Sequence, residues 1–164
     1  MRINAFSDLC LRVVMLLAAP EYTSLQVTSP QGSAVKGSAL LTSQQIADSV
    51  GIPYNHVSKA VIRLRELGLV DVTRGRGGGA VISSRGRSAT VGWLLRRLDV
   101  RPDVADCHTA SGDCPLSDGC GLRGALARAR EAFYAELDDV VIASLAENRQ
   151  SDRVFVALDT VFRS

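Results

Sequence analysis

The residues with the most chemistry in them are packed into one short stretch, DCHTASGDCPLSDGCG over residues 106–121. Cys107, Cys114 and Cys120 lie there among glycines, serines and aspartates that offer little apolar surface to a core. Thiolates bind zinc, hold iron-sulfur clusters or exchange with disulfides. Three is an awkward number for each. Structural zinc and cubane clusters usually take four protein ligands, and disulfides take pairs. Zinc sites favour close ligand pairs, and the gaps of six and five residues here contain none. A thiol switch is favoured by nearby positive charge, whereas the span from Asp99 to Cys120 has five aspartates facing only Arg101. Glycine-containing gaps suit three corners of an iron-sulfur cluster, so that reading leads, with zinc and paired redox thiols as alternatives. His108 adjoins Cys107 too closely to reach a second corner. Cys10, between Leu9 and Leu11, reads as a buried apolar residue.

The frame that must hold these cysteines is a chain of 164 residues, 46% hydrophobic, long enough for one proper core and an appendage. Asp8 and Arg12 interrupt the apolar N-terminal segment, and no apolar run approaches membrane-span length, so the expected location is cytoplasmic. No nucleophile-and-base constellation appears, and two histidines give acid-base chemistry little material; the chain is not expected to be an enzyme. The net charge of +2 averages two segments of opposite sign. Ile52 to Thr90 carries seven basic residues against Glu66 and Asp71, a footprint for phosphates, while the cysteine stretch is acidic.

FSDLCLRVVMLLAA predicts a first helix over 6–19, with Ser7 as N-cap and Leu9, Val13, Leu16 and Leu17 on one face. Residues 20–40 read as a long connection with a short strand near Leu25 to Val27. Thr42 and Gln45 fit a capping box, Gly51 a tight turn, Pro53 the first position of a second helix, and Gly68 its close. Ala47, Gly51 and Val57 have helix-turn-helix spacing over 42–67. LVDVTRGRGGGAVISS then predicts a hairpin wing over 69–84 with Arg74 and Arg76 at its tip. Thr90 caps VGWLLRRL.

The fold expected is mainly α with a small β-hairpin wing: a winged helix-turn-helix DNA-binding domain over 1–98, a cysteine loop over 99–120 and a long dimerisation helix over 121–148. A C-terminal tail over 149–164 has apolar residues that must pack. On the long helix, Leu122, Leu126, Ala129, Phe133, Leu137 and Val140 form a stripe that calls for a second copy, as in two-fold operator-binding proteins. The recognition helix would offer Tyr54, Asn55, His56, Ser58 and Lys59 near its start and Arg63 and Arg65 further along to the major groove of double-stranded DNA; Arg74 and Arg76 would meet the minor groove or phosphates.

FSDLCLRVVMLLA, the helix-turn-helix, TRGRGGG, TVGWLLRRLD, the three cysteines and the helix after them together resemble the winged-helix iron-sulfur transcriptional repressors. That family includes nitric-oxide-sensing repressors of the NsrR type and cluster-assembly regulators of the IscR type. The latter have a histidine three positions after the last cysteine, where this chain has Arg123, so the resemblance is nearer to the nitric-oxide sensors. It implies a homodimer, an iron-sulfur cofactor (4Fe-4S, with 2Fe-2S as the alternative), nitric oxide as ligand, and Asp8 from the partner subunit as the fourth ligand beside Cys107, Cys114 and Cys120. On the residues alone, Asp8 reads as a helix-start carboxylate paired with Arg12 one turn on. The same fold could also sense iron supply or redox state, and a zinc-stabilised interaction module is the alternative from another class.

Overall fold

The computed structural model describes residues 3–20, 26–28, 34–36, 40–101, 104–105, 107–109, 112–115 and 119–146, with backbone alone at 26–28, 34–36, 108–109 and 112–113. The chain divides into two compact units, one of Ile3–Ala89 resuming at Val141, the other built on Thr90–Val140. The expected tail, 149–164, lies outside the described residues.

The first unit begins with α1, Ala5–Ala18, one residue earlier than the sequence implied. Its N-cap is Asn4, whose side chain accepts the Ser7 N–H at 2.7 Å, so Ser7 is not the cap; it is buried one turn inside. Leu9, Cys10, Val13, Val14, Leu16 and Leu17 are buried, a helical face turned to the core. The long connection contains a small antiparallel hairpin, β1 (Gln26–Thr28) and β2 (Ala34–Lys36), with Val27 opposite Val35.

Two helices follow, α2 (Ser43–Val50) and α3 (Tyr54–Glu66). The capping box is present: Thr42 Oγ1 accepts the Gln45 N–H, and Gln45 Oε1 accepts the Thr42 N–H at 2.9 Å. Gly51 has a φ of 67°, a left-handed conformation that costs glycine little, and Ile52 N–H closes on Ala47 carbonyl. Pro53 is the N-cap of α3 rather than its first residue. At the other end Gly68 N–H bonds Arg65 carbonyl and Leu69 N–H bonds Leu64 carbonyl, a Schellman closure. Val57, Ala60, Val61 and Leu64 of α3 are buried, and α3 packs on both α1 and α2. A fully buried leucine such as Leu64 contributes about 1.5–3 kcal/mol over its exposed state.

The wing is β3 (Val70–Thr73) paired antiparallel with β4 (Gly79–Ile82), Val70 opposite Ile82. Leu41 and Ala80 exchange backbone hydrogen bonds, which adds a third, one-residue edge. A short helix absent from the sequence reading, α4 (Ser84–Ser88), comes next. Ser83 makes it: its hydroxyl donates to Gly68 carbonyl at 2.6 Å and accepts Gly86 N–H.

The second unit starts at α5 (Val91–Leu98), capped by Thr90 as expected, with Thr90 Oγ1 accepting Trp93 N–H. The winged-helix domain was expected to run to 98, yet α5 groups with the chain that follows it. β5 (His108–Thr109) and β6 (Gly112–Asp113) form a minimal hairpin, and α6 spans Gly121–Glu136. The helix expected over 121–148 therefore stops twelve residues early. The carbonyls just beyond its end are bonded by α5: Gly92 N–H bonds Leu137 carbonyl and Val91 N–H bonds Val140 carbonyl, both at 2.9 Å, so the chain turns at 137–140 to satisfy the start of α5. Asp138 and Asp139, poor helix formers, occupy that turn. A separate helix, α7 (Ile142–Ala146), returns to the first unit, where it packs on α1 and α4. Among the described residues no helix is long and apolar enough to cross a membrane.

Candidate nucleic-acid interface and cysteine site

α3 turns Val57, Ala60, Val61 and Leu64 inward, so its other face is presented to solvent. Tyr54, Asn55, His56, Lys59 and Arg65 are exposed on that face, and Ser58 is half-buried with its hydroxyl donated to Asn55 carbonyl. These are the residue types that read base edges or bind phosphates. Arg63 differs from the others: it is half-buried and bonded to Glu66 Oε2 at 3.1 Å, which braces the helix. Ile62, 51% exposed, stands among the polar residues, and the sequence reading passed over it. Both wing arginines, Arg74 and Arg76, are exposed. Glycine is required between and after them: Gly75 has a φ of 100°, and a Cβ on Gly78 would lie 2.3 Å from Thr73 carbonyl oxygen.

The cysteines are positioned by a hairpin and a helix start. Cys114 N–H donates to Cys107 carbonyl at 2.9 Å, one step beyond the His108–Asp113 pair, so the two cysteines stand opposite each other at the open end of the hairpin. Residues directly opposite in an antiparallel pair project to the same face, so both thiols share one side. Cys120 is the N-cap residue of α6, where the open N–H groups of a sixteen-residue helix favour an anionic ligand set. All three cysteines are half-buried. Among the described residues no group of three or more His, Cys, Asp or Glu is gathered for a metal, so Cys120 is not joined to the Cys107–Cys114 pair. In kind, the three thiols suit an iron-sulfur centre.

Asp8 is half-exposed on the first turn of α1 and paired with Arg12 Nε at 2.9 Å. Cys10 is fully buried, as expected, and burial pushes its thiol up to about 12, opposed by the positive charge of Arg63. It offers no thiolate at neutral pH.

Of the expected dimer stripe, Leu122 is 65% exposed, Ala129 is exposed, and Leu126 and Phe133 are half-buried. Leu137 and Val140 lie in the turn beyond α6, half-buried. The face of α6 that meets α5 is the neighbouring one, carrying Glu131 and Tyr134 and continued by Asp138 in the turn after it, and the sequence reading missed it. Arg96 donates to Glu131 at 2.7 Å and to Asp138 at 2.5 Å, with its guanidinium 5.5 Å from the Tyr134 ring centre. Tyr134 hydroxyl donates to Asp99 Oδ2 at 2.5 Å. Burial and this bond raise the phenol to about 12. Burial acts to raise Asp99 as well, but the hydrogen bonds from Tyr134 and Arg101 outweigh it and hold the carboxyl below its usual range. The charged and aromatic residues at i, i+3 and i+7 were the available signal.

The sequence profile of the Rrf2 family, described as an iron-dependent transcriptional regulator, matches residues 33–148. The chain is 41% identical over 145 residues to the HTH-type transcriptional repressor NsrR of Streptomyces coelicolor, covering 88% of each. It is 30% identical over 151 residues to the HTH-type transcriptional regulator NsrR of Bacillus subtilis, covering 92% of this chain and 93% of that one. Among solved structures, the fold resembles CymR, the global cysteine regulator of B. subtilis, with a TM-score of 0.59 at 21% identity over 90% of this chain and 97% of that one. It also resembles T. potens IscR, with a TM-score of 0.61 at 16% identity over 90% and 87%.

Proposed function

The chain belongs to the Rrf2 family of transcriptional regulators, and its relatives are named as repressors and regulators rather than enzymes; from that premise we propose that it is a cytoplasmic, homodimeric repressor whose iron-sulfur cluster senses nitric oxide. The cysteine loop and Asp8 of the partner subunit hold a 4Fe-4S cluster. The observation that carries this reading is the placement of Cys107 opposite Cys114 with Cys120 at a helix start, in a chain whose remaining cysteine, Cys10, is buried. The missing ligand must then come from another residue type.

Each subunit lays the start of α3 in the major groove of a palindromic operator, with Arg74 and Arg76 alongside. The exposed part of the α6 stripe, Leu122, Leu126, Ala129 and Phe133, is covered by the second copy, with Leu137 and Val140 at the edge of that surface. The cluster, when bound, supplies iron with which nitric oxide reacts. Asp8 is the weakest donor of the set, since a carboxylate exchanges more readily on soft iron than a thiolate. An Asp8 no longer held there would be left to pair with Arg12, and α1 of one subunit would lose its link to the cysteine loop of the other. α1 packs directly on α3, so a shift of α1 reaches the reading helix, and half-site geometry changes.

Anaerobic purification with assay of iron and acid-labile sulfide, followed by nitric oxide titration against an operator selected from a random duplex library, tests the reading. Sulfide-bearing protein that binds DNA and releases it on nitric oxide supports it. Zinc without sulfide, or no DNA binding in any cluster state, overturns it; release on iron depletion but not on nitric oxide assigns the same fold to iron sensing.

A further inference from the structure

We propose that Asp99, Tyr134 and Arg130 form a clamp that fixes the start of the cysteine loop on α6 and so positions Cys107 and Cys114 for the cluster; the inference deepens the reading above and rests on it. Asp99 is the C-cap of α5, and its side chain is 9% exposed. One carboxylate oxygen accepts the Tyr134 hydroxyl, while the other accepts the Arg101 N–H at 3.3 Å and the Arg101 guanidinium at 3.4 Å. Arg130 Nη1 donates to Arg101 carbonyl at 3.0 Å and stands 3.9 Å from Asp99 Oδ2. Residues 99–101 are thereby tied to α6 through side chain and backbone together. The other end of the loop, Cys120, is the N-cap of the same helix. Ten residues of helix separate Cys120 from Arg130, about 15 Å at 1.5 Å per residue, so one rigid element carries both ends of the loop.

The consequence is preorganisation. A loop anchored at Leu98 alone would let the chain before Cys107 sample many directions. The clamp moves the last fixed point to Arg101, six residues before Cys107, and reduces the freedom that ligand binding must remove. Tyr134 is the one buried residue of α6 among those described, so its ring belongs to the packing while its hydroxyl serves the clamp. The two roles separate in Tyr134→Phe, which keeps the ring.

In the full chain, hydrogen exchange of the Cys114 amide, which bonds Cys107 carbonyl, reads hairpin order without any cluster. Tyr134→Phe is expected to speed that exchange at least tenfold in the apo protein and, after anaerobic reconstitution, to speed cluster loss to an iron chelator by a similar factor. Arg96→Met breaks the other polar ties between α5 and α6, at Glu131 and Asp138, and serves as the control: it is expected to lower the melting temperature and leave both rates within twofold of wild type. Tyr134→Phe rates within twofold of wild type, or an equal effect from Arg96→Met, overturn the clamp. If wild type takes up no sulfide, the proposed function falls, and apo exchange alone still decides the clamp.

Discussion

The unit built on Ile3–Ala89 is held by apolar packing, with Cys10, Val13, Val14 and Leu17 of α1 set against buried Val57, Ala60 and Leu64 of α3. The unit built on Thr90–Val140 buries Leu94, Leu95, Leu98 and Tyr134 and adds polar ties, Arg96 to Glu131 and Asp138, and Tyr134 to Asp99, while Leu122 and Ala129 of α6 are exposed. Hydrophobic burial is non-directional and holds a shape without help; polar ties are directional and modest in net strength. The DNA-reading half is therefore complete as one chain. On the proposed function, the half with the cysteines would gain further order from a second copy on the α6 stripe and a cluster at the loop.

The sharpest test of that contrast is Cys114→Ala, expected to abolish iron and sulfide uptake while changing the urea unfolding of the apo protein by less than about 0.5 kcal/mol. A large loss of apo stability would mean that the loop supports the fold. Leu64→Ala tests the opposite half: the cavity is expected to cost about 2–5 kcal/mol in the same unfolding experiment. Replacing Arg74 and Arg76 together with Ala should weaken DNA binding across all sequences and reduce the slope of log K against log salt by about 2, with cluster content unchanged.

A milder perturbation addresses the polar half through pH. Tyr134 carries a phenol raised from 10 to about 12, so the stabilisation it contributes is present below pH 10 and is lost as pH rises toward 12. Asp99, lowered, contributes above the usual carboxylate range and loses that contribution as pH falls through its folded value. A late phenolate absorbance step near pH 12 that disappears in Tyr134→Phe would identify the bond. The smallest stability effect is expected from Asp8→Ala, tenths of a kcal/mol in the apo protein because the Asp8–Arg12 pair is half-exposed, yet with an altered cluster spectrum and nitric-oxide response. A wild-type spectrum and response in that variant would leave Asp8 as a helix-start residue only.

Much of the first unit was legible because its signals are local. Thr42 with Gln45, Gly51, Gly68 and the glycines after Arg74 act within four or five residues, and the α1 stripe has one dominant face. Expectation and structure part where two nearby residues compete for one cap and where a distant residue intervened. Asn4 outcompeted Ser7 as the cap of α1, and Ser83 made α4 by bonding Gly68 across fifteen positions. The α6 periodicity continued beyond the helix itself, where the chain turns and the donors of α5 bond the Leu137 and Val140 carbonyls.

By itself the sequence determined the winged helix-turn-helix, the arginine wing and the presence of three thiols in an acidic loop. Each follows from steric and hydrogen-bonding preferences that a residue exerts on its near neighbours. Only the tertiary structure decided that α5 pairs with α6, that Cys107 faces Cys114, and that Tyr134 reaches Asp99. A hydrogen bond across thirty-five positions depends on where two helices pack, and no local preference of either residue encodes that meeting.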